Sequence, residues 1–180
     1  MKNTIIVPVV IVLVFIAVGI FVISKDDTNS IGNKGTTKNS EIVAGDEKPV
    51  TTTSASVVLN LSGRGLTAVP MSAFSDTKTE ELNLSNNALT GALPSQVGAL
   101  QNLKVLNLSN NNFTGVPAEI GQLSKLEVLD LSDNKLTGLP NELGNLLNLK
   151  LLDVSGNQYS KADLDGIKKN LPSSTVIKTE

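Results

Sequence analysis

LKVLNLSNNNFTGVPAEIGQLSK, residues 103–125, runs directly into LEVLDLSDNKLTGLPNELGNLLN, residues 126–148. Each segment is 23 residues long, and together they follow the pattern LxxLxLSxNxLTGLPxELGxLxx, with Phe113, Val116 and Ile120 in place of leucine in the first. Weaker copies begin at Ser56, Thr79 and Leu149, so successive repeats start at offsets of 23, 24, 23 and 23 residues. Self-similarity at a fixed period of this size means stacked turns, each of which buries its apolar side only against its neighbours. The first half of each copy alternates. Leu106 and Leu108 sit between Val105, Asn107 and Ser109, and the alternation recurs at Leu82/Leu84, Leu129/Leu131 and Leu152/Val154. Period two is a half-buried strand. The second half has period three: Pro94, Val97, Leu100, Leu103; then Pro117, Ile120, Leu123, Leu126; then Pro140, Leu143, Leu146, Leu149. That spacing predicts a helical or 3₁₀ turn with one buried stripe. Gly91, Gly115 and Gly138 precede the prolines and are expected at the bend between the halves.

These residues together resemble the leucine-rich-repeat family, in particular its 23–24-residue plant and bacterial repeats, over residues 56–180. The segment LTGALPSQVGALQN has the extra residue before proline that marks the plant type. The resemblance implies an α/β solenoid: a right-handed coil whose parallel strands form one concave sheet. It also implies that Asn87, Asn111, Asn134 and Asn157 form a structural asparagine ladder, bonding the backbone of neighbouring turns. An amide suits this role because it donates and accepts at once. Arg64 stands at that position in the first repeat, which has no earlier turn to bond.

Terminal turns expose core and need caps. Phe74 is expected to plug the N-terminal edge. At the other end, about residues 160–180, Ala162–Asn170 is predicted to form an amphipathic helix with Leu164 and Ile167 inward. Ser160 caps it, and Thr175-Val176-Ile177 forms a sixth, closing strand. Six strands at about 4.8 Å span about 24 Å.

Upstream, Ile5–Ile23 is an unbroken apolar run. Nineteen residues at about 1.5 Å each match a hydrocarbon core of about 30 Å. The expectation is one transmembrane helix, a signal anchor over residues 5–23, after a short cytoplasmic N-terminus at 1–4. A cleaved signal peptide is the alternative; the run exceeds the usual apolar length of a signal and ends in Phe21, Val22 and Ile23 rather than small residues. Flanking lysines, Lys2 and Lys25, balance each other, and the free N-terminus favours an N-inside orientation. The repeats are then extracytoplasmic on a single-pass membrane protein, or secreted if the segment is cleaved. Residues 24–55, rich in Gly, Ser, Thr, Asn and charge, read as a disordered, flexible linker with a reach of about 30 Å.

The chain holds 15 Lys and Arg, 17 Asp and Glu, no cysteine and no histidine. Five basic and five acidic residues lie before Ser56, so neither part is biased toward nucleic acid. Without His or Cys the commonest general base, nucleophilic thiol and zinc ligands are missing. No nucleophile motif or phosphate loop is present, so the expectation is no enzyme and no cofactor.

In the family the strand face carries ligand-binding side chains. Mapped onto this sequence, that face has three outward columns: Val58, Glu81, Val105, Val128, Leu151; Asn60, Asn83, Asn107, Asp130, Asp153; and Ser62, Ser85, Ser109, Ser132, Ser155. Val105, Val128 and Leu151 form an apolar strip with acids at Asp130 and Asp153, the pattern of an interaction site. Strand propensity alone also favours valine there, and the serines follow from the repeat itself. Asp130, Asp133 and Asp153 approach one another on adjacent turns, but such acids more often stay solvated than hold Ca²⁺, and no metal is assigned. Asn60, Asn83, Asn107 and Asn112 match the N-glycosylation pattern, which the repeat generates by itself at the first three. The expected function is a membrane-tethered binding module for a protein, peptide or glycan. The alternative is a structural or adhesion component of the cell envelope.

Overall fold

A computed structural model of the chain describes residues 56–180. The expected N-terminus, anchor and linker lie outside the described residues. Among the described residues no helix is long and apolar enough to cross a membrane.

Six short strands pair in parallel in one sheet: β1 (Val57–Asn60), β2 (Thr79–Asn83), β4 (Val105–Asn107), β6 (Val128–Asp130), β7 (Leu151–Asp153) and β8 (Val176–Lys178). Each turn of the solenoid contributes one strand, and from β2 to β7 the register advances by one repeat per step: Leu82 pairs with Leu106, Leu106 with Leu129, and Leu129 with Leu152. The inward side chains of these strands, Leu82/Leu84, Leu106/Leu108, Leu129/Leu131 and Leu152/Val154, are buried in one continuous core. Burial of a leucine is worth about 1.5–3 kcal/mol, so these alternating positions dominate the stability of each turn.

The opposite wall is 3₁₀ helix. Four such turns, Met71–Phe74, Ser95–Ala99, Ala118–Gln122 and Asn141–Asn145, each follow a proline. Proline fits there because its fixed φ starts the turn and its missing N–H has no partner to lose. Its carbonyl then accepts the N–H three residues on: Val97 to Pro94 at 3.1 Å, Ile120 to Pro117 at 3.2 Å, Leu143 to Pro140 at 3.1 Å. The period-three stripe of Val97, Leu100, Ile120, Leu123, Leu143 and Leu146 is buried as expected.

The bend between the halves differs from expectation. Gly91 has a positive φ of 75°, but Gly115 and Gly138 do not. Gly115 instead closes a strand. β3 (Thr90–Ala92) and β5 (Asn112–Gly115) pair in parallel as a second, two-stranded sheet. Extended backbone here satisfies peptide groups that a simple bend would leave to solvent: Asn112 N–H reaches the Leu89 carbonyl at 2.8 Å and Leu93 N–H the Gly115 carbonyl at 3.1 Å.

The two ends are covered to different degrees. Phe74 and Ala73 are buried in the first turn, while Leu59, Leu61, Leu66 and Val69 remain half-buried. At the other end α1 (Lys161–Lys168) buries Leu164 and Ile167, and β8 adds the sixth strand. The Asp163 N–H donates to the Ser160 hydroxyl at 3.1 Å, the N-cap foreseen from sequence. Ser160→Ala is expected to lower unfolding stability by about 1 kcal/mol, read from a urea midpoint at unchanged m-value.

Candidate functional site

The outward side of the six-stranded sheet is organised by columns, because side chains at one register position stack about 4.8 Å apart. The first column is Val58, Glu81, Val105, Val128, Leu151 and Val176, aligned across all six strands. Val176 extends the column beyond the residues mapped from sequence. The two ends are open, with Val58 54% and Val176 58% exposed. Val105, Val128 and Leu151 are half-buried, since each is flanked by stacked neighbours on both sides.

The second and third columns are not the free surface expected of them. Asp153 is buried, as are Ser85 and Ser109. The side-chain oxygens of Asn60, Asn83, Asn107, Asp130 and Asp153 each accept the backbone N–H two residues on, at 3.0–3.1 Å. The serine hydroxyl also donates to that oxygen in four of the five turns, as from Ser132 to Asp130 at 2.6 Å. These residues end the strands. Asp153 has a further partner, the Lys178 ammonium at 3.4 Å.

The next position explains a column that sequence reasoning missed. Gly63, Asn86, Asn110, Asp133 and Gly156 all have positive φ, between 51° and 65°. Gly, Asn and Asp are the residues that tolerate this conformation. Glycine at this position in the first and last turns was the available signal. Asp133 is therefore a turn residue, and among the described residues no group of three His, Cys, Asp or Glu is placed to hold a metal ion.

The asparagine ladder follows at once. The Asn111 amide donates to the carbonyls of Leu84 (3.0 Å), Leu108 (3.1 Å) and Ser109 (3.1 Å) and accepts the Leu89 N–H at 3.1 Å. Asn87, Asn134 and Asn157 repeat this pattern. Arg64 does not: its guanidinium donates to the Asn60 carbonyl of its own strand at 2.9 Å.

On the other flank of the apolar column runs a second missed feature. Glu80, Lys104, Glu127 and Lys150 occupy one position in successive turns with alternating sign. Lys104 pairs with Glu80 at 2.9 Å and Lys150 with Glu127 at 2.6 Å. The hydrogen bond from Lys104 holds the Glu80 carboxyl below the usual carboxylate range and raises the lysine above its own. The apolar column thus lies between polar columns whose groups largely satisfy one another.

A family model described as a leucine-rich repeat region matches residues 69–175. The chain belongs to the leucine-rich-repeat family. Its repeats are 47% identical over 56 residues to Receptor-like protein 18 of Arabidopsis thaliana, which covers 31% of this chain and 7% of that protein. Among solved structures, a leucine-rich-repeat protein of Leptospira interrogans superimposes with a TM-score of 0.58 at 40% identity, covering 62% of this chain and 28% of that one. A plant peptide hormone receptor, RGFR1, solved in complex with RGF2, superimposes with a TM-score of 0.56 at 36% identity, over 67% of this chain and 21% of the receptor. The chain thus spans less than a third of each of these relatives. As a leucine-rich-repeat solenoid it shares their parallel-strand fold, and its neighbours include receptor domains.

Proposed function

We propose that this chain is a membrane-tethered binding module that recognises a protein or peptide through the concave, outward side of its six-stranded sheet. The apolar column carries the reading. Val58, Val105, Val128, Leu151 and Val176 stand in register on the solvent side of a sheet whose core is on the other side. They are not needed for the core, and an apolar strip with a polar rim is what an interaction surface offers. Support also comes from the plant peptide hormone receptor with the same fold, which was solved with RGF2 bound. The apolar run Ile5–Ile23 supplies the tether and residues 24–55 the spacer, placing the repeats on the extracytoplasmic side. A sheet of this size offers a small contact area, so modest affinity reinforced by clustering on a membrane is expected.

The test is cross-linked capture from native membranes with wild type and with Val105→Arg/Val128→Arg. Both substitutions lie on the solvent side, and unchanged circular dichroism checks that the solenoid is intact. Capture of a defined protein by wild type, reduced at least about tenfold in the variant, is the expected result, since desolvating two unpaired guanidinium groups opposes binding. Equal capture by both forms refutes the proposal.

A further inference from the structure

Among the described residues, the strand face leaves two carboxylates without a cation. Glu81 sits inside the apolar column, and its carboxylate forms neither an ion pair nor a hydrogen bond to another described residue. Asp130 lies one column over, with Oδ1 held by Ser132 and no cation paired to it. Three other carboxylates of this face are paired: Glu80 with Lys104, Glu127 with Lys150, Asp153 with Lys178. Lys125 stands on the ion-pair side and donates to Asn102 at 2.7 Å. The face therefore presents an apolar strip with two carboxylates that form no ion pair with a described residue, one on β2 and one on β6.

From this we infer that the occupant of the strand face is an extended peptide combining apolar side chains with two cationic ones. The inference rests on the proposed function and adds the chemistry of the partner. β2 and β6 are separated by β4, so the carboxylate-bearing strands are about 10 Å apart, the span of three residues of extended chain. The whole strip, six strands across, matches about seven extended residues. A Lys or Arg near one end of such a segment meets Glu81, and a second three or four residues on meets Asp130. Valine and leucine side chains between them cover Val105 and Val128. Burial of Glu81 under any partner lacking a cation leaves a desolvated, unpaired carboxylate, so the same residue that attracts a basic peptide rejects a neutral or acidic one.

The experiment is a selection of random octapeptides on the full-length chain in phospholipid nanodiscs, run in parallel on Glu81→Lys, Asp130→Lys and Val105→Arg/Val128→Arg. Wild type is expected to enrich peptides with two Lys or Arg three or four positions apart among aliphatic residues. Each charge reversal is expected to weaken those peptides at least about tenfold and to shift enrichment toward Asp and Glu, the sign that distinguishes charge recognition from a loss of folding. Raised salt is expected to weaken the wild-type interaction as well. Enrichment of neutral or acidic peptides by wild type overturns the inference, as does indifference of the selected peptides to Glu81→Lys. If such peptides are lost only in Val105→Arg/Val128→Arg, the strand face binds but cation recognition is wrong. If the selected peptides survive that variant too, or none is enriched, both readings fall.

Discussion

Asn134→Ala is expected to cost about 3–5 kcal/mol of unfolding stability, close to half of what a domain of this size commonly has. Asn134 is only 7% exposed. Its amide donates to the Leu108, Leu131 and Ser132 carbonyls at 3.0–3.1 Å and accepts the Phe113 N–H at 3.0 Å. Alanine leaves that N–H without its acceptor beside a buried ring, and three carbonyls lose a donor. An unmade buried hydrogen bond costs about 1–3 kcal/mol, and the losses here share one amide, so they do not add fully. Asn134→Asp keeps the acceptor but turns a buried carboxylate oxygen toward three carbonyl oxygens, and is expected to cost at least as much as alanine near neutral pH. The half-buried Asn157 gives a smaller loss than Asn134. Urea denaturation of the four proteins checks the order, and a loss below about 1 kcal/mol for Asn134→Ala contradicts the buried-network account.

Gly121→Ala is the second large effect, about 3 kcal/mol, for an unrelated reason. A methyl group on Gly121 collides with the carbonyl oxygen of Glu142 and comes within 2.8 Å of the Glu142 Cβ. Both belong to the next 3₁₀ turn, and backbone cannot swing aside as a long side chain can. Gly138 provides the control. Its φ is not positive, and the nearest atom to an added Cβ is Asp163 Oδ2 at 3.6 Å, ordinary contact. Gly138→Ala is expected to change stability by no more than about 0.5 kcal/mol or to raise it slightly, because alanine restricts the unfolded chain more than glycine does. Thermal or urea midpoints of the pair decide whether close approach between turns, rather than glycine as such, is what the repeat requires.

Repetition made most of the fold legible. A period written four or five times separates inward leucines from outward residues without any structure, and the two end caps could be placed because Phe74 and Ser160 break the pattern. What escaped was interaction between turns. The β3–β5 ladder depends on backbone pairing that no side-chain pattern encodes. Reading columns as exposed also failed at Asp153 and Ser109: alternation along a strand says which way a side chain points, but not that its oxygen turns back onto the backbone two residues later. The sign alternation at Glu80, Lys104, Glu127 and Lys150 was visible, but its meaning appears only when residues 23 or 24 apart become neighbours.

The unequal lengths of the turns have a consequence for how this molecule can change over time. The one 24-residue turn carries its extra residue between Gly91 and Pro94, outside the six-stranded sheet. In the six-stranded sheet the pairing of β2 with β4 and of β4 with β6 runs without a slip. From β2 to β7 the sheet face therefore holds a strict register, while the irregular pairing of β1 with β2 is confined to its edge and the segment between the ladder asparagine and the proline tolerates an added residue. Added codons between the ladder asparagine and the proline leave the spacing of Val105, Val128 and Leu151 intact. A whole duplicated turn lengthens that row by one rung of about 4.8 Å, so mutation has separate routes to loosening the frame and to lengthening the apolar row.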